Sequence, residues 1–179
     1  YHAETAVAVL ESGVDVINDI SAFAFDPALL DVLVQYRPGY VLMHCQGVPG
    51  TMQQNPHYND VVSEVTAFFE EKMNVLVNAG FPEENILLDP GIGFGKKMEH
   101  NLALMAHPEA WERLGRPSLM ALSMKSVFND LLGLPVESRG PATQTATALC
   151  YTRGYAWHRV HDARAASQAL RLADAFMNA

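Results

Sequence analysis

The sequence predicts an α/β fold of parallel strands alternating with helices, and three observations carry that reading. Short apolar runs rich in Val, Ile and Leu recur along the chain. Amphipathic stretches separate them, and polar residues gather where the runs end. Near-continuous apolar strands fit a parallel sheet buried on both faces, and strand–helix alternation implies right-handed βαβ crossovers.

The elements follow in order. Glu4 to Glu11 is apolar at helical spacing, and Gly13 stands where a left-handed C-terminal cap belongs. Val14 to Ile20 reads as the first strand. Asp26 and Pro27 supply an N-cap and a first-turn proline for a helix over Ala28 to Gln35. Tyr40 to Cys45 is the second strand. The longest helix runs from about Asn59 to Asn78, with Val61, Val62, Val65, Phe68, Phe69, Met73, Leu76 and Val77 on one stripe and Gly80 closing it. Ile86 to Asp89 and Ser118 to Ser123 are the third and fourth strands. A helix over Ala142 to Arg153 leads to the fifth strand, Tyr155 to His161, and Ala163 to Met177 is the last helix. One helix followed by five βα units builds either an open doubly wound sheet or most of an eight-stranded barrel. Periodicity does not choose between them.

Composition bounds the function. A chain of 179 residues fits a single domain, 1-179. Its formal charge of −8 gives no general attraction for nucleic acid or an anionic membrane. An anionic substrate must therefore be held by a few local cations. No apolar run reaches about 18 residues, so no transmembrane helix is expected. No signal peptide is visible, and Cys45 and Cys150 form neither a CxxC pair nor a zinc spacing. These features predict free thiols in a cytoplasmic protein. Tyr1 opens almost directly onto a helical pattern, so a segment upstream of it is expected.

The chemistry is expected at one rim. Asn18 and Asp19 close the first strand, His44 and Gln46 the second, and Asp89 the third. Ser123 and Lys125 close the fourth, and Arg159, His161 and Asp162 the fifth. Polar ends of successive strands at one rim are the pattern of a βα-barrel active face. The plainer reading of any one of them is a helix cap or a loop contact, and for Asp26 that plainer reading holds. Strand parity puts Arg159 and His161 on the face of Trp157, Asn18 on that of Val14 and Val16, and Asp89 on that of Leu87. A buried Asn18 and a buried Asp89 need partners, and together they suit a flat, polar heterocycle. The two are expected within about 15 Å, the scale of a small-ligand pocket. The glycine-rich run Asp89 to Lys96 (DPGIGFGK) has neither the dinucleotide nor the Walker order, so its glycines are read as room for a close backbone approach.

Five segments carry a family resemblance. DPGIGFGK resembles an LDPGFGFGK signature, with Ile92 for a Phe, and Ile17-Asn18-Asp19-Ile20 is similar to an IND strand end. Leu42 to Gly47, with Pro49, Thr51 and Met52 after it, resembles an LMHMQG…P..M segment. Ser123-Met124-Lys125-Ser126 is similar to SRKS, and Arg159 to Asp162 to RVHDV. In this order they resemble dihydropteroate synthase, a TIM-type (β/α)8 barrel, of which only about the last five βα units would be present here.

The resemblance implies roles. Asn18 and Asp89 bond a pterin ring. Met43 and Lys125 line its pocket. Arg159 stacks on the pterin and, with His161, holds a diphosphate. Phe94 and Ser123 contact p-aminobenzoate. The implied reaction joins p-aminobenzoate to 6-hydroxymethyl-7,8-dihydropterin diphosphate in folate biosynthesis, with Asp89, Lys125 and Arg159 as its catalytic groups. It also implies magnesium, whose usual protein ligand lies in the family's N-terminal part, and a homodimer. Met124 stands where the family has Arg, which removes a cation beside the p-aminobenzoate site. Two other readings share the pterin pocket: a methyltetrahydrofolate-dependent corrinoid methyltransferase, which needs no diphosphate-binding cations, and a non-catalytic pterin-binding relative.

Overall fold

The computed structural model describes residues 1–179. Five parallel strands follow one another in space in the order in which they follow in sequence. β1 (Val16–Asp19), β2 (Gly39–Met43) and β3 (Ile86–Asp89) form one sheet, and β4 (Leu119–Met120) pairs with β5 (Trp157–His158). A parallel bridge between Leu88 and Ser118 joins the two groups. Doubly wound sheets reverse their strand order at a switch point. No reversal occurs along these five strands.

Alternation along the strands sorts the side chains. Ile17, Tyr40, Leu42, Ile86, Leu88, Met120 and Leu122 belong to the main core, packed on the helices. Val41, Leu87, Leu119 and Ala121 form a small cluster on the other face. On that face Val16 and Asn18 of β1 and Trp157 and Arg159 of the β5 end line one cavity of about 570 Å³, so the strands curl round it. β1 and β5 are the two edges, and Val16 and Trp157 are more than half exposed there.

Helices cover the outer face: α1 (Ala3–Glu11), α2 (Leu29–Tyr36), α3 (Val61–Asn78), α4 (Met98–Ala106), α5 (Val127–Leu132), α6 (Gly140–Thr152) and α7 (Ala163–Met177). α3 begins as its sequence dictates. Asp60 accepts the N–H groups of Val62 and Ser63, while Glu64 reaches back to Asn59 and Asp60, which satisfies the free donors of the first turn. Val61, Val65, Phe69, Met73 and Leu76 are buried, whereas Val77 is exposed, so the apolar stripe is narrower than expected. Asp26 ties two segments: Oδ1 accepts Ala28 N and Oδ2 accepts Ala3 N. None of the helices is long and apolar enough to cross a membrane.

Two expectations about elements are corrected. The fourth and fifth strands are two residues each rather than six and seven, because the chain leaves the ladder after Met120 and His158, short of the rim residues. Two helices also went unforeseen. α4 starts at Lys97, not a usual cap residue, and Asn101 within it accepts the N–H of Gly93, so a polar helix start serves as a brace for the glycine turn. α5 has only six residues, too few for a clear period.

Candidate active site

Asp89 is the centre of the rim. It ends β3, opposite Met43 in the register, and both are almost fully buried. Asp89 Oδ1 accepts the Gly91 N–H at 2.7 Å. Oδ2 is buried with no partner. Burial raises the pKa of this carboxyl, against the pull of the Gly91 N–H and of the charges on Lys125, Arg159 and Lys96. A buried acceptor left open beside three cations is set up to take donors from a ligand.

The glycine turn is shaped by close contact. A Cβ on Gly91 would lie 1.9 Å from the His44 carbonyl oxygen, and one on Gly95 would lie 2.3 Å from that of Gln46. Both glycines have positive φ. The turn thus lies flush against the end of β2, where only glycine fits. Between these glycines, Phe94 faces Lys125, whose Nζ stands 4.3 Å from the ring centroid and also donates to the Ile92 carbonyl. Burial lowers the Lys125 pKa to about 8, with Asp89 opposing that shift and Arg159 adding to it.

The fifth strand end splits in two directions. Arg159 lines the inner cavity with Asn18 and Trp157. His161 turns away: its Nδ1 is hydrogen-bonded to Ser123 Oγ at 2.9 Å, and its backbone N–H donates to that oxygen at 3.3 Å. Ser123, Met124 and His161 line a second cavity of about 290 Å³ beside the starts of α6 and α7. The parity argument that paired Arg159 with His161 therefore does not hold, because β5 has already ended. Met124 sits in the left-handed region at φ 60°, with its carbonyl held by Arg139 Nη1 at 3.0 Å.

Asn18 is exposed, not buried as its strand position suggested. It lies on edge strand β1, with no strand beyond it to cover its side chain. Its neighbour Asp19 is the buried one, accepting from Ser21 N, Ser21 Oγ, Phe23 N and Tyr40 Oη. Asn18 opposes Val41, and Val41 opposes Leu87. Asn18 and Asp89 are then two strand spacings across and two residues along, roughly 12 Å apart, within pocket range. Met43 and Asp89 are thus paired at the strand ends, with Lys125 and Phe94 beside them, whereas Asn18 and Arg159 line the inner cavity and Ser123 and His161 line the second one.

One pair was missed. His44 and Lys96, 52 residues apart, are both buried, with Lys96 Nζ 2.9 Å from His44 Nδ1. Burial, then the Lys96 charge, lowers the His44 pKa to about 3, and the ring is neutral. The only sequence signal was a lysine inside an otherwise apolar, glycine-rich run.

The fold and rim define an α/β protein of parallel strands with polar and charged side chains gathered at the carboxyl ends of those strands. Residues 1–161 match the family described as pterin binding enzyme. The chain belongs to that family. It is 37% identical over 167 residues to the dihydropteroate synthase of Haemophilus influenzae, covering 93% of this chain and 60% of the relative. It is 40% identical over 167 residues to that of Neisseria meningitidis serogroup B, covering 91% and 59%. Among solved structures, Yersinia pestis dihydropteroate synthase in a sulfonamide complex superposes with a TM-score of 0.94 at 31% identity, over 98% of this chain and 64% of that one. The Xanthomonas albilineans enzyme in complex with 7,8-dihydropteroate gives 0.90 at 35% identity, over 99% and 64%. The chain spans about three-fifths of the length of the curated relatives it matches.

Proposed function

We propose that this chain carries most of the substrate pocket of a dihydropteroate synthase, which condenses p-aminobenzoate with 6-hydroxymethyl-7,8-dihydropterin diphosphate. The single observation behind this is Asp89, a buried carboxylate with one oxygen open and Lys125, Arg159 and Lys96 in its field. In this reading Asp89 and Asn18 bond the pterin, with Met43 packed beside it. Lys125, Arg159 and His161 draw the diphosphate. The arylamine nitrogen attacks the methylene carbon, the carbon–oxygen bond to diphosphate breaks with its electron pair going to the leaving oxygen, and the proton lost from the amine leaves with the diphosphate. Asp89 stabilises positive charge on the ring as diphosphate leaves, and the cations stabilise the charge that departs. Phe94 and Ser123 contact p-aminobenzoate. Sequential strand order and the inner cavity support the last five units of an eight-unit barrel, and the family resemblance is what supports reading the protein as a cytoplasmic homodimer. Relatives solved with 4-aminobenzoic acid and with 7,8-dihydropteroate support the substrate class.

Magnesium fits these residues poorly. No three His, Cys, Asp or Glu side chains stand together to hold a metal ion. The groups at the diphosphate end, Lys125, Arg159 and His161, are bases. No step is routed through a metal here. The cations also weigh against the corrinoid methyltransferase reading, in which no diphosphate leaves.

The test is calorimetric titration of the whole gene product with a pterin, alongside turnover of both substrates. Asp89→Ala is expected to weaken pterin binding by about 1–3 kcal/mol, the scale for unpaired buried partners. Unchanged affinity would make Asp89 a structural cap and remove the assignment.

A further inference from the structure

Lys96 has no part in the reaction above, yet it is only 3% exposed. Its Nζ meets His44 Nδ1 at 2.9 Å, donates to the Phe94 carbonyl at 3.0 Å and reaches the His44 carbonyl at 3.5 Å. None of these partners is a carboxylate. Burying an ammonium without a counter-ion is unfavourable, and burial lowers the Lys96 pKa to about 7. The position of this side chain explains what it holds. It links the end of β2 to the glycine turn, at the point where the turn is tightest. A Cβ on Gly91 would meet the His44 carbonyl oxygen and carbon first, and then Lys96 Nζ at 3.4 Å. The same Gly91 donates its N–H to Asp89 Oδ1, which leaves Oδ2 as the open oxygen. Lys96, the turn and Asp89 are therefore one continuous set of contacts.

We infer that Lys96 is a positioning residue: by pinning His44 and the Gly91–Phe94 turn together, it sets the direction from which Asp89 Oδ2 meets a pterin ring. The inference rests on the pterin reading of the site. It names Lys96 as a residue that governs ligand recognition without touching the ligand.

A double-mutant cycle tests it. The probe is 6-hydroxymethylpterin without phosphate, so that Arg159 and His161 contribute nothing through a diphosphate. It is titrated by fluorescence into the native whole gene product, Lys96→Met, Asp89→Asn and the double variant. Groups that act through one another lose affinity non-additively. Each single variant is expected to bind about tenfold more weakly, and the double variant within about threefold of Asp89→Asn alone. Two results overturn the inference: Lys96→Met within about twofold of native, or a double variant showing the product of both losses, up to binding too weak to titrate. If the native protein binds no pterin, the pterin reading itself falls, which separates the two failures. Should Lys96→Met not fold, Lys96→Gln takes its place. Amide hydrogen exchange at Gly91 in the ligand-free protein decides the matter independently. Exchange about tenfold faster than native supports the inference, and an unchanged rate overturns it.

Discussion

Gly91 and Gly133 form a matched pair for measuring what the glycine turn demands. Both have φ 68°. A Cβ on Gly133 meets nothing within 4 Å, whereas one on Gly91 would sit 1.9 Å from the His44 carbonyl oxygen and 3.1 Å from its carbon. Alanine at either position carries the same left-handed penalty, about 1–2 kcal/mol. At Gly91 the backbone of β2 must also move, which adds about 1–3 kcal/mol as overpacking does elsewhere. Gly91→Ala should therefore lose about 3 kcal/mol or more, and Gly133→Ala about 1 kcal/mol. Urea unfolding of both, compared by midpoint at constant slope, reads the difference. Pterin binding should fall with Gly91→Ala alone, because the added Cβ displaces the turn and with it the N–H that fixes Asp89. Equal stability losses, within about 0.5 kcal/mol, would refute the close contact.

Other outcomes follow from the same geometry. Met124→Arg should improve use of p-aminobenzoate with little change in pterin affinity, measured as turnover at varied p-aminobenzoate beside a pterin titration; equal effects on both would remove Met124 from that end of the site. Asp19→Ala should cost about 3–5 kcal/mol of stability, since four donors lose a buried charged acceptor; a loss under about 1 kcal/mol would contradict the packing described. His44 has a folded pKa near 3, below its unfolded value, so between about pH 6.5 and 3 the unfolded chain binds the extra proton. Stability from this group is complete above pH 6.5 and falls with acidification, by at most about 1.4 kcal/mol per pH unit. His44→Gln should flatten the slope of unfolding free energy between pH 6.5 and 5. Lys96 acts the same way in a higher window: with a folded pKa near 7, stability rises from pH 7 towards 10.5, and Lys96→Met should abolish that rise.

Much of this was legible in the sequence because the relevant signals are local. The positive φ at Gly13 and Gly80 and the apolar runs of β1 to β3 all lie within a few residues of what they determine. Asp89 and the glycine turn were readable for the same reason, since acceptor and donor are two residues apart. What failed depends on distant partners. Asn18 was expected to be buried because its strand reads as interior, but burial on an edge depends on a neighbour that no local pattern reports. The couple of His44 with Lys96 spans 52 residues. His161 left the face of Arg159 because two-residue β5 ends before parity extends that far. α4 was hidden because its polar start spends Asn101 on bracing Gly93 rather than on a recognisable cap.

Asn18 and Asp19 are adjacent on β1 and point to opposite sides, one into the cavity and one into the wall. Their duties are therefore separable by inheritance. Under the proposed pterin reading, a change at Asn18 alters what the rim recognises and leaves intact the side-chain bonds to Asp19 that hold the loop after β1. A change at Asp19 releases Ser21, Phe23 and Tyr40 together and no ligand contact compensates. The alternation of a single strand thus gives this site a position free to drift towards new ligands, fastened directly to one that is not.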